Sequence, residues 1–325
     1  MSGKQSRQPR GPASPPSVAR GAARTYQRTV VLMDTHVTVT VVDGGAAEAC
    51  DARAERAFAW FRRVEECCTR FEPTSEVMAL AARVGEAVEV SPILFQVVRF
   101  ALAVAAASDG AFDPTVGYRL ESRGFNRSYR TGRPIVSSIE PAGPCSFRDV
   151  RLDATRRTIT LVRPLILDLG AVAKGFAVDL AARELRAFAD VAIDAGGDLF
   201  VRGHNADGEP WRVGIRHPRR VDAMIETVSV SDASVCTSGD YERRSESGDE
   251  SHHIVDPRTD RSPDAVASVT VIAPTTMLAD ALGTAAFVLG PTRGLALLES
   301  QGVDGLIVSP SLERFTTRGF RRYLR

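Results

Sequence analysis

The sequence predicts a mixed fold of α-helices and largely antiparallel β-strands. Some short segments alternate apolar and polar residues, which is typical of strands, while others repeat apolar residues every three or four positions, as amphipathic helices do. Predicted strands outnumber predicted helices, and hairpins occur beside helical connections, so the pattern does not fit a doubly wound parallel sheet. We therefore expect a single α+β domain over residues 25–325, formed by two intertwined subdomains.

The chain begins with a segment that lacks the residues needed for a core. Residues 1–24 are rich in Pro, Gly, Ser and Arg and contain no acidic side chain, so we expect a disordered basic tail. From residue 27 to residue 42, apolar and polar residues alternate and β-branched residues are frequent, which predicts one long strand or a strand pair. This pattern ends at Asp43, which two glycines follow.

Two helices are predicted next. In segment 47–70 the apolar residues, Phe58 and Phe61 among them, fall on one helical face and the charges on the other. The second helix has Ser91 as its N-cap, Pro92 in its first turn and a glycine just beyond its end. After these helices, the sequence predicts a hairpin at 147–162, strands at 191–194, 199–202, 211–216, 225–231, 268–273 and 304–308, and helices at 276–289 and 292–300.

The segment 165–186 joins an apolar run to a helix and places charged residues between them. Residues 165–167 predict a short buried strand, and apolar residues from Val172 onward recur every four positions. Asp168 and Lys174 therefore lie at a junction where glycines and the unpaired N–H groups of a first helical turn can receive an anion. An ordinary role, with Asp168 as a helix cap and Lys174 as a solvated charge, fits the same pattern.

Composition excludes several classes of protein. The 41 basic and 40 acidic residues give a formal net charge of +1, so no overall field favours nucleic acid or a membrane surface. No apolar run reaches the roughly 18–20 residues of a membrane helix, and no signal-peptide pattern is seen, so we expect a cytoplasmic protein without a membrane segment. The five cysteines form no C-x-x-C pair and are read as reduced thiols rather than a zinc site.

The segment 276–290 contains a carboxylate on a helix that is apolar nearly all round. An isolated buried carboxylate is costly, so Asp280 needs a partner. Thr284 lies one turn further on the same face, and together the two side chains offer oxygen ligands of the kind that Mg²⁺ accepts. Alternatively, Asp280 caps a helix or pairs with a neighbouring cation.

Three further stretches carry candidate residues in turns and loops. Asp113 directly precedes a proline, and the strands predicted around Gly196 must bend at a pair of glycines, although an ordinary turn and a plain bulge explain both observations as well. The polar segment 241–264 predicts a surface loop or hairpin. Because adjacent side chains of an extended segment point to opposite sides, only one of His252 and His253 is expected to face a functional site.

Eight stretches, in this order, carry a resemblance to a known family. They are LMDTHVTV, TRFEPTSEV, GAFDPTVG, LDLGAVAKGFAVD, DAGGDLFVRG, TSGDYE, HHIVDPRT and ADALGTAAFVLG. Together they resemble the ApbE family, the FAD:protein FMN transferases, over nearly everything from Val30 to Gly290. Each stretch alone is modest support, whereas eight collinear stretches make chance similarity improbable.

The resemblance implies an ApbE-like mixed α/β fold with an FAD site in a cleft between subdomains. It implies an enzyme that uses Mg²⁺, or alternatively Mn²⁺, and transfers FMN from FAD to a Ser or Thr hydroxyl of an acceptor flavoprotein or electron-transfer subunit, releasing AMP. By position, the family's flavin contacts correspond to Met33, Phe71, Ala111, Phe112, Asp113, Asp168, Lys174 and Ile254. The metal shell corresponds to Ala171 and Gly283 through backbone carbonyls, Asp280 and Thr284, and the catalytic residues to His253, as base, and Asp168.

The sequence departs from the family pattern at three positions. Asp34 replaces a usual glycine, Ala171 stands where a second glycine is common, and Asp260 replaces the glycine that usually follows DPRT. Two rival functions share the same site. The first is an Mg²⁺-dependent FAD pyrophosphatase with water as acceptor, and the second is a non-catalytic FAD-binding protein in which a change such as Asp34 has silenced the chemistry.

Overall fold

The structure is a computed structural model that describes residues 23–128, 130–141, 143–242 and 252–324. The tail predicted over 1–24 lies outside these residues except for its last two positions. The expected mixed fold with antiparallel sheets is confirmed, because every strand pair in the described part of the chain is antiparallel. The division into two subdomains stays a prediction.

The described strands form one large sheet and two small ones. The large sheet has eight strands in the order β1-β2-β6-β7-β10-β11-β12-β13, a second sheet has the order β3-β5-β4, and β8 pairs with β9. In chain order the strands are β1 (Thr25–Leu32), β2 (Thr35–Val42), β3 (Val88–Glu89), β4 (Val150–Asp153), β5 (Thr158–Leu161), β6 (Asp190–Ala195), β7 (Asp198–Arg202), β8 (Trp211–Arg216), β9 (Met224–Val230), β10 (Ala233–Gly239), β11 (Ser268–Ala273), β12 (Asp304–Val308) and β13 (Arg314–Thr316).

Three of the helices, the first and the last two, pack against one face of the large sheet. In chain order, the helices of the described residues are α1 (Ala47–Cys68), α2 (Glu76–Ala81), α3 (Pro92–Ala107), α4 (Gly117–Ser122), α5 (Gly170–Glu184) and α6 (Thr276–Ser300). Their apolar sides and the inner face of the sheet form the main core, which contains Phe58, Phe61 and Phe287. A smaller core lies on the opposite face, under the β8–β9 hairpin.

Helices α5 and α6 meet at backbone distance, and this contact positions the site. A Cβ atom added to Gly175 would lie 2.7 Å from the backbone N and Cα atoms of Met277, so only glycine permits the approach. One turn further along α5, the carboxylate of Asp179 accepts hydrogen bonds from the backbone N–H groups of Thr276 (2.8 Å) and Met277 (3.1 Å). Asp179 therefore caps the N-terminus of α6 from outside that helix.

Helix α6 is kinked and very apolar. Gly290 has non-helical angles (φ 78°, ψ 176°) and Pro291 follows, so the helix bends where the sequence separates two predicted helices. By length and composition this helix could cross a membrane, but 56% of its most apolar window is buried inside the protein, as in the core helix of a globular fold.

Most predicted elements are confirmed, and three differences have physical causes. Residues 165–167 are buried but form no strand, because the Ile166 carbonyl accepts from Gly117 N–H (3.2 Å) and Asp168 N–H donates to the Pro114 carbonyl (2.8 Å). Residues 237–239, predicted in a loop, end strand β10. Helices α2 and α4 have six residues each, too short for a periodic pattern to develop.

Candidate active site

A cavity of about 700 Å³ lies where the N-terminal parts of α5 and α6 meet one end of the large sheet. The turn between β1 and β2, the turn between β6 and β7, and the end of β10 all reach it. Every site residue predicted from the sequence lines this cavity except Gly283. The lining candidates are Met33, Phe71, Ala111, Phe112, Asp113, Asp168, Ala171, Lys174, His253, Ile254, Asp280 and Thr284.

Two tight turns form the strand side of the cavity. Met33 and Asp34 both have positive φ angles, 50° and 62°, as a two-residue hairpin turn requires. Asp tolerates this left-handed conformation better than most residues, so Asp34 can replace glycine in this turn at the edge of the cavity. Gly196 has φ 65°, and a Cβ atom there would lie 2.1 Å from Thr35 Oγ1, so the second turn packs directly against the first.

Asp168 accepts one hydrogen bond at the start of α5, as in the ordinary role that the sequence allowed, and forms an ion pair that the sequence did not predict. Its Oδ1 atom accepts from Gly170 N–H (2.9 Å) at the start of α5, and its Oδ2 atom accepts from Arg70 Nε (2.6 Å). Arg70 is only 8% exposed, and its guanidinium lies 4.2 Å from the ring centroid of Phe71. Asp168 thus fixes Arg70, and through it the Phe71 ring, at the cavity wall.

Lys174, Asp198 and Asp280 form a charged group at the floor of the cavity, in which the two carboxylates are buried and Lys174 is half-buried. The Lys174 ammonium contacts the Asp198 carboxylate, so Lys174 forms an ion pair and the alternative of a solvated charge is wrong. Burial lowers the pKa of Lys174, but Asp198 and Asp280 raise it more, and the pKa lies above its usual value. Burial and the nearby Asp198 raise the pKa of Asp280 well above its usual range, and Lys174 opposes this only in part.

This group fits a divalent cation. Asp280 is 8% exposed, and its Oδ2 atom is buried without a hydrogen-bond partner among the described residues. Two carboxylates beside one ammonium leave one negative charge uncompensated when all three are ionised. The described residues contain no cluster of three His, Cys, Asp or Glu that could bind a metal, so a cation here needs hydroxyl, backbone and diphosphate oxygens as well, as Mg²⁺ does.

Two of the other predicted metal ligands line the cavity with Asp280, and one does not. Thr284 lines the cavity one turn further along α6, and its hydroxyl donates to the Asp280 carbonyl at 3.4 Å. Ala171 lines the cavity in the first turn of α5. Gly283 lies behind the wall, where an added Cβ atom would be 3.1 Å from Ser238 Oγ. The ligand roles of these residues stay predictions.

Asp113 supports the cavity wall from within the protein. Its Oδ1 atom accepts from Thr115 N–H (2.9 Å) and Thr115 Oγ1 (2.7 Å), and its Oδ2 atom accepts from Phe147 N–H (2.9 Å). Burial raises the pKa of this carboxyl, while these hydrogen bonds lower it in part. Asp113 therefore caps a short 3-10 helix and holds Phe112 and Ala111 at the cavity.

The two adjacent histidines face different surroundings, as their alternation predicts. His253 lines the cavity. His252 is 4% exposed, lies outside the cavity lining, and packs its ring edge-on against Phe287 of α6 (5.4 Å, 80°).

Asp260 ties the loop after His253 to helix α4. It has φ 53°, and its backbone carbonyl and its carboxylate both contact Arg123, the carboxylate Oδ1 atom at 3.3 Å. We expect Asp260→Gly to change the free energy of unfolding by less than about 1 kcal/mol, because relief of the left-handed strain offsets the loss of an exposed ion pair. Urea denaturation measures this change. Asp260→Asn, which keeps the conformation and removes the charge, is the control, and a loss well above that value contradicts the expectation.

The sequence analysis missed two groups of the site. Asp198 and Arg70 both lie inside stretches quoted for the resemblance, Asp198 directly after the glycine pair at the β6–β7 turn. Their place in these stretches was the signal that could have identified them. Their partners, Lys174 and Asp168, come from distant parts of the chain, so no local pattern identifies the pairs.

Comparison with known proteins agrees with this geometry. The family model described as the ApbE family matches residues 33–307. A FAD:protein FMN transferase of Treponema pallidum is 36% identical over 317 residues, covering 90% of this chain and 86% of that protein. A protein of the same name from Haemophilus influenzae is 28% identical, covering 88% of this chain and 87% of that protein.

Solved structures give the same result for the fold. The ApbE protein from Thermotoga maritima has a TM-score of 0.82 and 29% identity, covering 93% of this chain and 100% of that chain. The flavin transferase ApbE from Vibrio cholerae has a TM-score of 0.80 and 25% identity with the same coverage. With the family model extending over most of its length, this chain belongs to the ApbE family.

Proposed function

We propose that this protein transfers FMN from FAD to a Ser or Thr hydroxyl of an acceptor flavoprotein in a Mg²⁺-dependent reaction that releases AMP. The names of its relatives, FAD:protein FMN transferase, support the transfer and FAD as substrate. In this chain, the observation that supports the proposal is the buried carboxylate of Asp280. It lies beside Lys174 and Asp198, and its Oδ2 atom has no hydrogen-bond partner among the described residues.

The walls of the cavity suit the two ends of FAD differently. Phe71, Phe112 and Met33 provide apolar surface for the flavin ring, and the Arg70 guanidinium holds Phe71 in place. Lys174 supplies positive charge for the diphosphate at the cavity floor. The first turn of α5 also lines the cavity, so the positive end of its helix dipole faces the same space.

The charged group at the floor supports the proposed metal dependence. When bound, Mg²⁺ would polarise phosphoryl oxygens and stabilise the charge that develops on the leaving AMP. Asp280 and Thr284 would hold it through side-chain oxygens, and Ala171 through its carbonyl. The Lys174–Asp198 pair keeps the ammonium fixed, so its position does not depend on the substrate.

His253 is proposed to move the proton in the transfer. The oxygen of the acceptor hydroxyl forms a bond to the phosphorus of the FMN half, the P–O bond to AMP breaks, and the hydroxyl proton passes to the imidazole of His253. Imidazole is suited to this role because it exchanges a proton near neutral pH. With water in place of the hydroxyl, the same residues would hydrolyse FAD, so the acceptor decides between the two reactions.

The test is an incubation of the purified protein with FAD, MgCl₂ and a flavoprotein subunit that exposes a Ser or Thr acceptor segment. Flavin fluorescence that stays with the acceptor on a denaturing gel, together with AMP in solution, is the expected result. EDTA should abolish both, and added Mg²⁺ should restore them. Free FMN and AMP without labelled acceptor would indicate a pyrophosphatase, and intact FAD would indicate a non-catalytic binding protein.

Replacing His253 with alanine separates its proposed role from substrate binding. We expect the transfer rate to fall about 100-fold or more, because a general base contributes at least that much. The dissociation constant for FAD, measured by isothermal titration calorimetry, should change less than about 3-fold, since the residue acts mainly in the transition state. A variant with the wild-type rate, or one that loses FAD binding as strongly as rate, would contradict the assignment.

A further inference from the structure

The ring of His252 has a hydrogen-bond partner at each nitrogen, and the two partners are of opposite kind. Its Nε2 atom lies 3.0 Å from the Pro263 carbonyl oxygen, which can only accept a hydrogen bond. Its Nδ1 atom lies 3.3 Å from the Ile254 backbone N–H, which can only donate one. The ring therefore carries its proton on Nε2 and is neutral, because a protonated Nδ1 could not accept.

Hydrogen bonds on both sides of His253 fix the backbone around it. The bond from Ile254 N–H to the His252 ring spans His253 and closes a turn around it. On the other side, Ser262 Oγ accepts from His252 N–H (3.2 Å) and donates to the His252 carbonyl (2.9 Å). The backbone on both sides of His253 is thus fixed to the segment that contains Ser262 and Pro263.

The same ring links this segment to helix α6. Its edge-on contact is with Phe287, which is fully buried and lies three residues beyond Thr284, close to one helical turn. Asp280 lies two turns before Phe287 on the same helix, so the His252 ring reaches the side of α6 that carries both cavity-lining oxygens.

We infer that His252 is a positioning residue, whose neutral ring sets the place of the His253 imidazole relative to Asp280 and Thr284. The inference rests on the proposed function of His253 as the base. His252 itself lies outside the cavity lining, so its effect must pass through a neighbour, and the hydrogen bonds on both sides of His253 make that residue the one that its ring and backbone position most directly. A residue that only filled the core would stabilise the fold without this effect on the reaction.

Three substitutions separate the contacts of the ring. His252→Asn places an amide oxygen near the Nδ1 position and keeps an acceptor for Ile254 N–H. His252→Gln places an amide N–H near the Nε2 position and keeps the donor to Pro263, while His252→Phe keeps only the ring packing. We expect kcat to stay within about 3-fold of wild type in His252→Asn and to fall about 10-fold or more in the other two, because small misplacements of a catalytic group are costly. KM for FAD should change less than about 2-fold in all three.

A double-mutant cycle with His253→Ala distinguishes positioning from stability. If His252 acts through His253, His252→Phe should slow the residual reaction of His253→Ala little or not at all. If the double mutant shows the product of the two single-mutant rate losses, the inference is wrong. So would a wild-type kcat in His252→Phe, or kcat losses that follow the melting temperatures of the three variants rather than the lost contact to Ile254.

The NMR signal of His253 does not depend on turnover, so it tests the inference separately from the proposed function. The chain has five histidines, few enough for the ring signals to be assigned by NMR with His253→Ala as reference. We expect the His253 signal to be unchanged in His252→Asn and shifted or broadened in His252→Gln and His252→Phe. An identical His253 signal in all four proteins would overturn the inference even if the wild-type protein labelled no acceptor.

Discussion

Asp280→Ala is expected to abolish Mg²⁺-dependent turnover of FAD, with a rate loss of about 100-fold or more, while leaving the metal-free protein as stable as wild type or more stable. The rate falls because the substitution removes the carboxylate proposed to hold the cation. Stability does not fall because the carboxylate is buried, lies near Asp198 and has one oxygen without a hydrogen-bond partner among the described residues.

Thermal unfolding with and without FAD and MgCl₂ measures both parts of this prediction. Wild-type protein should melt at a higher temperature when both are present, because ligands that bind only the folded state stabilise it. The alanine variant should lose that increase. Asp280→Asn, which keeps the shape and removes the charge, is the matched control and should behave in the same way. A variant that keeps its rate, or that unfolds at a clearly lower temperature without ligands, would refute the role of Asp280.

Gly175→Ala is expected to destabilise the protein by about 3 kcal/mol, although alanine is the better helix former. The new Cβ atom would lie 2.7 Å from backbone atoms of Met277, and a backbone cannot rotate aside as a side chain can. The N-terminus of α6 must therefore move away from α5, and the Asp179 cap must lengthen. Because Asp280 lies one turn beyond Met277, we expect Mg²⁺-dependent activity to fall as well.

Gly283→Ala is the matched control for this substitution. It also places a Cβ atom on a buried face of α6, but the nearest atom, 3.1 Å away, is the hydroxyl oxygen of Ser238, which can rotate. The free energy of unfolding, from urea denaturation, should fall by less than about 1 kcal/mol, since the gain in helix propensity offsets the tight contact. Equal losses in the two variants would show that the α5–α6 backbone contact is not the cause.

The sequence was informative where one local pattern had one structural meaning. The alternation over 27–42 became the β1–β2 hairpin, and the cap predicted at Ser91 accepts from Leu94 N–H at 3.1 Å. Residues 165–167 show the limit, because a short apolar run has the same composition in a strand and in a buried irregular segment. Gly175 shows a second limit of the sequence analysis. The pattern allowed this glycine to approach an anion closely, whereas in the structure it allows close contact with α6.

The residues of the candidate site were likewise predictable only in part. Residues from all eight family-like stretches line one cavity. Asp198 could not be assigned, because its importance comes from Lys174 and Asp280, which lie 24 and 82 residues away in the sequence. Long-range charge pairs of this kind follow from the packing of α5 and α6 against β7, which local periodicity does not contain.

The break at Gly290 brings the second half of α6 back against the first. A Cβ atom at Gly294, beyond the break, would lie 2.7 Å from the carbonyl oxygen of Ala286, before it, and 3.0 Å from Ile307 Cδ1 of β12. Ala286 belongs to the half of the helix that contains Asp280 and Thr284. Any side chain larger than hydrogen at position 294 would therefore press on the element that lines the cavity, so a glycine outside the cavity lining restricts how this part of the sequence can change.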